Sequence, residues 1–461
     1  MYGATYGVSA RAKGASPTRA GSGATLDREG VSRGGPPGES SGRSAALTAR
    51  DVAFRVVLRV FEDGAYADRA FRSAADAAAL DGRERAFAMQ LAYGTVQRVR
   101  PLDHAIETLG RRRVAKLDPP VRAALRIGAY QLAHMTGVAD HAAVNETVEL
   151  VRRARLERAV PFTNAVLRRV GAGIHDVLAA LPERTPVDAA LRHSYPDWIA
   201  ETFWREHGRE AGLALMETQN EAPRPVARLT RRGREADLPG ERDDELPEAV
   251  AVDRVPQEWI DAGLAWPQSR GSQLAGLAVG AAAGERVLDL CAAPGGKAMQ
   301  LAERAREVVA VEKHAGRARE LEENVRRAGL ENVTVVHADA LELPGELDGF
   351  DRALVDAPCS GLGVLASRPD LRWRAEPLPD LQRALLEIAA ARVRSGGSVT
   401  YAVCTLHRAE NEEVVDAAGL PTDDLGVAWP AYRHPSRPKF LLTLPHVHRT
   451  SGFFVARMTL P

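Results

Sequence analysis

Two cysteines of this 461-residue chain lie where a thiol could act as a nucleophile. Cys359 lies in the string DAPCSG (356–361) and Cys404 ends the string YAVC (401–404), and each follows an apolar run that predicts a β-strand. We interpret the third cysteine, Cys291, as structural. Widely spaced cysteines do not form a disulfide framework, so they favour a reducing, cytoplasmic compartment. No CxxC pair or local histidine accompanies them, and we therefore expect no metal site.

A glycine-containing turn, DLCAAPGGK (289–297), precedes these two cysteines. Glycines let the backbone approach a ligand closely, and carboxylates at strand ends can accept hydrogen bonds from ribose hydroxyls or an adenine edge. Glu312, Asp339 and Asp356 end the next three predicted strands. The pattern is not GxGxxG, but it predicts a nucleoside cofactor bound by Cys291, Ala292, Ala293, Pro294, Gly295, Gly296, Lys297, Glu312, Asp339 and Asp356.

Strands and helices alternate from about residue 256 to residue 461, which predicts an α/β, doubly wound domain with a mostly parallel sheet. In such a sheet the fourth and fifth strands are neighbours about 5 Å apart. Cys359 and Cys404 would then face the same crevice, beside the cofactor. Two thiols in that position indicate covalent catalysis on an electrophilic ring.

Cytosine methylation at C5 is a reaction that needs such a pair. A thiolate that adds to C6 makes C5 nucleophilic, and an acid that holds a proton on N3 stabilises the adduct. After methyl transfer the C5 proton must leave, and a second thiol can assist the release. A chance pair of strand-end cysteines is the alternative interpretation.

Helical spacing continues through residues 46–175 without strand-like alternation, which predicts an all-α domain. Arginine and lysine outnumber acidic residues there by 21 to 14, although the whole chain has a net charge of zero. The basic clusters are Arg111–Arg113, Arg152–Arg158 and Arg168–Arg169. Such clusters are either solvated helix faces or contacts to a polyanion such as RNA.

The remaining segments are less informative. Residues 1–45 are rich in small and polar residues and predict a disordered basic tail. We expect residues 176–255 to form a connector, either an extended arm or a small α/β subdomain. No apolar run reaches transmembrane length and no secretory signal is present, so we expect no membrane partner.

The chain resembles a known family over most of its length. VLDLCAAPGGKAMQLA (287–302), DRALVDAPCSGLGVLASRPDLRW (351–373) and YAVCTLHRAENEEVV (401–415) are similar to the RNA cytosine-C5 methyltransferases of the RsmB/Sun group. GAYQL (128–132) and the AVNE and NAVLR strings (143–146 and 164–168) resemble NusB-like RNA-binding domains. The chain departs from the family pattern at Val403 and at Arg408-Ala409.

The resemblance implies a monomeric, cytoplasmic enzyme that uses S-adenosyl-L-methionine to methylate a cytidine of ribosomal RNA, expected in the small subunit. By position, Cys404 resembles the family's nucleophile, Cys359 the cysteine for product release and Asp356 the residue that contacts N3. The glycine turn with Lys297 would bind the cofactor, Glu312 the ribose and Asp339 the adenine. Two alternatives stay open: a methyltransferase acting on tRNA or DNA, and a catalytically spent RNA-binding assembly or antitermination factor.

Overall fold

The computed structural model describes residues 47–461, which form a helical domain, a smaller mixed region and a large α/β domain. The predicted basic tail, residues 1–45, lies outside the described residues. Within the described part of the chain, no helix is both long enough and apolar enough to span a bilayer.

The amino-terminal domain is built from helices around one apolar core, which confirms the all-α prediction. Its first helix begins at a capping box, in which the side chains of Thr48 and Asp51 accept each other's backbone N–H groups. Pro119 opens a later helix at a position where proline is tolerated. The helices are α1 (Ala49–Glu62), α2 (Ala67–Ala77), α3 (Gly82–Gln97), α4 (Val99–Gly110), α5 (Pro119–His134), α6 (Asp140–Arg153) and α7 (Val160–Ala179).

Two helices and a small antiparallel sheet connect this domain to the rest of the chain. Their elements are α8 (Pro186–His193), α9 (Asp197–Thr218), β1 (Val226–Leu229), α10 (Arg231–Glu235), β2 (Glu241–Arg242), β3 (Ala249–Ala251), α11 (Gln257–Asp261) and β4 (Ala265–Pro267). The sheet order is β2-β3-β1-β4. Trp259 and Ala265 pack in the same apolar cluster as Val250. The expected boundary at residue 255 therefore falls inside this subdomain.

The carboxyl-terminal domain contains one seven-stranded sheet with helices around it. Its elements are α12 (Arg270–Ala278), β5 (Arg286–Asp289), α13 (Gly296–Ala302), β6 (Glu307–Glu312), α14 (Ala315–Ala328), β7 (Val333–His337), β8 (Phe350–Asp356), α15 (Pro379–Arg392), β9 (Val393–Val403), α16 (Glu412–Ala418), α17 (Leu425–Ala428), β10 (Leu441–Thr443), α18 (Pro445–His448) and β11 (Phe453–Thr459).

The strand order of this sheet is β10-β11-β9-β8-β5-β6-β7. The five strands from β9 to β7 are parallel. At one edge, β11 pairs antiparallel with β9, and β10 pairs antiparallel with β11. The prediction of a doubly wound, Rossmann-like domain is confirmed. Because the carboxyl ends of parallel strands meet at one edge, the loops that follow β5, β6, β8 and β9 converge there.

A buried segment after β8 attaches the α/β domain to the helical domain. The guanidinium of Arg372 donates to the carbonyl oxygens of Gln97 (3.3 Å) and Gln219 (2.8 Å), and Trp373 Nε1 donates to the Val96 carbonyl oxygen at 2.9 Å. Arg374 donates to the Gly64 carbonyl oxygen at 2.8 Å. The loop that carries Cys359 therefore continues directly into a segment held by the helical domain.

Candidate active site

The two thiols meet at the carboxyl edge of the parallel strands. β8 and β9 are neighbours, Asp356 lies opposite Ala402, and the Ala357 N–H donates to the Ala402 carbonyl oxygen at 3.0 Å. Cys359 lies three residues beyond β8, and Cys404 directly follows β9. Their Sγ atoms lie 3.5 Å apart, within hydrogen-bond distance for sulfur, and both cysteines are partly exposed.

The hydrogen bond between the thiols distinguishes their chemistry. The hydrogen bond with Cys404, together with burial, raises the pKa of Cys359 well above its ordinary value. The same hydrogen bond lowers the pKa of Cys404, although burial opposes this effect. The Lys297 charge acts in the same direction and the Asp356 charge opposes it. The thiolate is the reactive form of cysteine, and these directions favour it at Cys404 rather than at Cys359.

Lys297 and Asp356 form an ion pair beside these thiols. Lys297 Nζ lies 2.7 Å from Asp356 Oδ2 and 5.1 Å from the centre of the Phe453 ring. The lysine side chain is mostly buried, and the carboxylate is about a quarter exposed, at 28%. Asp356 is thus held at the end of β8 with a face open to the crevice.

The glycine turn between β5 and α13 is tightly packed. Gly295 has a φ of +110°, and a Cβ there would lie 2.5 Å from Leu321 Cδ1. At Gly296 a Cβ would lie 3.1 Å from Trp266 Nε1. The Asn324 side-chain amide donates to the Pro294 carbonyl oxygen at 2.9 Å. These contacts require the glycines and hold the turn against the start of α13.

The other residues of the turn have small side chains that are mostly buried. Ala292 and Ala293 are buried, and Arg317 donates to the Ala293 carbonyl oxygen at 2.5 Å. The Ala292 N–H donates to the Val311 carbonyl oxygen at 3.0 Å, which ties the turn to β6. Cys291 packs against the core below the sheet edge, and burial raises the pKa of its thiol. That thiol is therefore less reactive than Cys404.

Of the other two predicted carboxylates, Glu312 ends β6 and Asp339 lies two residues beyond the end of β7. Glu312 is 4% exposed, accepts from the His314 N–H at 2.8 Å and lies 3.3 Å from an Arg317 nitrogen. Asp339 is paired with Lys313 at 2.7 Å, and hydrogen bonding to that lysine lowers the pKa of Asp339. β6 and β7 are adjacent, so both carboxylates belong to the same edge as Asp356.

The sequence reasoning missed Asp289, at the end of β5. It is 1% exposed, and neither carboxyl oxygen accepts a well-formed hydrogen bond within residues 47–461. Burial, reinforced by the charge of Asp356, raises the pKa of Asp289 to about 7. A signal was present, because the rule that selected Glu312 and Asp339 applies equally to this strand end.

Glu410 was also missed as a site residue. It is completely buried and contacts the residues that follow Cys359 and Cys404, namely Ser360 and Thr405. Fifty residues separate Glu410 from Ser360, and no spacing rule links them.

Comparison with known proteins identifies the family. The model for 16S rRNA methyltransferase RsmB/F matches residues 277–459, and the NusB family model matches residues 47–172. A Synechocystis protein named probable ribosomal RNA small subunit methyltransferase B is 31% identical over 446 residues, which cover 89% of this chain and 99% of that protein. The chain belongs to the RsmB/F methyltransferase family.

Further relatives of this RsmB/F methyltransferase agree with the assignment. A Thermus thermophilus protein named ribosomal RNA small subunit methyltransferase B is 35% identical over 381 residues, which cover 81% of this chain and 87% of that protein. The crystal structure of PH0851 matches the fold over 88% of this chain and 98% of its own, with a TM-score of 0.73 and 21% identity. The resemblance to the RsmB/Sun group with a NusB-like domain is thereby confirmed.

Proposed function

We propose that this RsmB/F methyltransferase transfers a methyl group from S-adenosyl-L-methionine to C5 of a cytidine in small-subunit ribosomal RNA. The observation that carries the proposal is the pair of thiols 3.5 Å apart at the sheet edge. The names of the Synechocystis and Thermus relatives support the substrate class.

The residues at this edge fit a nucleoside methyl donor. The turn needs a glycine at position 295, where φ is +110°, and the buried Asp289 carboxyl group lacks a well-formed hydrogen bond within the described chain. Glu312 would hold the ribose and Asp339 the adenine edge, while the turn 291–297 would line the donor. S-adenosyl-L-methionine, when bound, would supply an electrophilic methyl group.

Cys404 would begin the reaction. Its thiolate would add to C6 of the cytosine, forming a sulfur–carbon bond and making C5 nucleophilic towards the methyl group. Asp356 would hold a proton against N3 and so stabilise the adduct, and Lys297 would keep that carboxyl group in place. The target base would have to leave its stack to reach this crevice.

Cys359 would act after methyl transfer. The C5 proton must leave, finally to solvent, so that the electron pair of the C5–H bond can form the C5–C6 double bond again and Cys404 can depart from C6 as a thiolate. The Cys359 sulfur lies 3.5 Å from the nucleophile and is therefore close enough to assist this elimination. Both thiols would end the cycle reduced, so no electron acceptor is required.

The helical domain would hold the RNA. Its arginines at 111–113, 158, 168 and 169 are exposed, where they can contact phosphates. Since the chain as a whole is neutral, such local clusters must supply the attraction.

Bisulfite sequencing of total RNA from a deletion strain tests the proposal. We expect one small-subunit rRNA cytidine to be protected in the parent, converted in the deletion strain, and protected again after complementation with the wild-type chain. Complementation with Cys404→Ala should not restore protection. Identical rRNA protection profiles in the parent and the deletion strain would contradict the proposal. If a tRNA cytidine loses protection instead, tRNA is the substrate. Calorimetric titration with S-adenosyl-L-methionine distinguishes an active methyltransferase from a catalytically spent RNA-binding factor. For a spent factor we expect no heat of binding.

A further inference from the structure

Glu410 is a buried acid beside the two thiols. It ends a 3-10 turn, Arg408–Glu410, six residues after Cys404, and its exposure is 0%. No ion pair to its carboxylate forms among the residues that the structure describes. A buried carboxylate without a paired cation needs several hydrogen-bond donors to remain charged.

Glu410 receives those donors from three separate segments. Oε1 accepts from the Ser360 N–H (2.9 Å), the Leu378 N–H (3.1 Å) and Gln382 Nε2 (3.0 Å). Oε2 accepts from the hydroxyls of Ser360 and Thr405, the latter at 3.4 Å, and the two hydroxyls lie 2.7 Å from each other. Hydrogen bonds to a charged acceptor are about twice as strong as neutral ones.

This arrangement joins the two cysteine loops through one side chain. Ser360 follows Cys359 in the sequence, and Thr405 follows Cys404. The Tyr401 hydroxyl donates to the Glu410 carbonyl oxygen at 2.6 Å, which fixes the backbone of Glu410 to β9. Gln382 also donates to the Pro358 carbonyl oxygen at 2.9 Å, so the residue before Cys359 is held by the same network.

We propose that Glu410 is a positioning residue that holds Cys359 and Cys404 at reacting distance. The inference rests on the proposed function, in which Cys404 attacks and Cys359 assists release. The negative charge of Glu410 acts on Cys359 and disfavours its thiolate. Lys297 and Asp356 are the charged groups that act on the pKa of Cys404.

Glu410→Gln tests the role, because it keeps the shape of the side chain and removes its charge. Glu412→Gln is the matched control, since Glu412 is equally buried at 5% but pairs with His434 at 2.9 Å. Full-length proteins are treated with iodoacetamide in the absence of RNA and methyl donor, and labelling of each cysteine is quantified by peptide mass spectrometry. Methyl transfer to small-subunit rRNA is measured in parallel.

We expect Glu410→Gln to move labelling from Cys404 towards Cys359. It should also lower kcat by about 10²-fold, the loss typical of a misplaced reacting group, with the KM for RNA unchanged. Glu412→Gln should match the wild type in both measurements. Wild-type labelling and kcat in a folded Glu410→Gln protein would overturn the inference.

Ser360→Ala keeps the experiment decisive if Glu410→Gln does not fold. It removes the hydroxyl that contacts both Glu410 and Thr405 and leaves the carboxylate in place. We expect a smaller shift of labelling in the same direction and a smaller loss of kcat, whereas wild-type values would overturn the role. If the wild-type chain itself methylates no RNA, the proposed function fails, and the labelling comparison still tests the inference on its own.

Discussion

Lys297 and Asp356 are joined by a 2.7 Å ion pair between the start of α13 and the end of β8. The pair links the glycine turn to the loop that carries Cys359. It also places a positive charge beside Cys404, where it lowers the pKa of that thiol. One lysine thus contributes to the position of the acid and to the reactivity of the nucleophile.

Replacement of Lys297 by methionine should therefore reduce catalysis more than binding. Asp356 would lose its fixed position and Cys404 would lose a favourable charge, so we expect kcat to fall by about 10²-fold or more. Methyl transfer at saturating RNA and donor measures this. Lys439→Met is the control, because Lys439 is exposed and its Nζ donates to the Thr422 carbonyl oxygen at 3.2 Å, away from the thiols. A change in KM alone would argue against the role given to Lys297.

Asp289 should make stability depend on pH in an unusual direction. Its pKa is raised from 3.8 to about 7 in the folded chain, mainly by burial, so the folded state binds the proton more tightly than the unfolded state. The free energy of unfolding should fall as the pH rises from about 4 to about 7, because ionising Asp289 costs more in the folded state.

Asp289→Asn isolates that contribution. Relative to the wild type, the variant should gain stability between about pH 5 and about pH 8, by about 2 kcal/mol or more. Urea unfolding of both proteins at the two pH values measures the difference. Parallel pH profiles for the two proteins would show that Asp289 does not carry the effect.

Arg372 should be one of the residues on which the attachment of the domains depends most. It is 1% exposed, its donors reach four backbone carbonyl oxygens and Asn220 Oδ1, and it stacks on Tyr195 at 4.1 Å. Arg372→Ala would leave buried acceptors unsatisfied, so we expect the free energy of unfolding to fall by about 3 kcal/mol or more. Urea unfolding measures this free energy, with Arg383→Ala as control, because Arg383 is partly exposed and pairs only with the exposed Asp380 among the ion pairs of the described chain. Equal stability of the two variants would contradict this assignment.

The sequence was sufficient to predict the layout of the sheet and the meeting of two thiols. Alternating strands and helices allow few topologies, and in those topologies the strands before Cys359 and Cys404 are neighbours. The resemblance to a known family supplied the expected roles of the individual residues.

Other features depend on tertiary contacts that sequence patterns do not predict. Arg372 bonds chiefly to backbone carbonyl oxygens, which every residue type offers, so nothing in the sequence marks its partners. Glu410 contacts Ser360 across 50 residues, through a turn whose shape depends on the folded core. Burial of Asp289 likewise results from tertiary packing, although its place at a strand end was visible.

The central claim is that Cys404 forms the bond to the base and Cys359 is needed to break it. The most direct measurement is a denaturing gel of the full-length protein incubated with small-subunit rRNA and S-adenosyl-L-methionine. Cys359→Ala should produce an RNA–protein adduct that survives denaturation, and Cys404→Ala should produce neither adduct nor methylated RNA. The double variant should behave like Cys404→Ala. An adduct in Cys404→Ala, with Cys359→Ala fully active, would contradict the account and reverse the two roles.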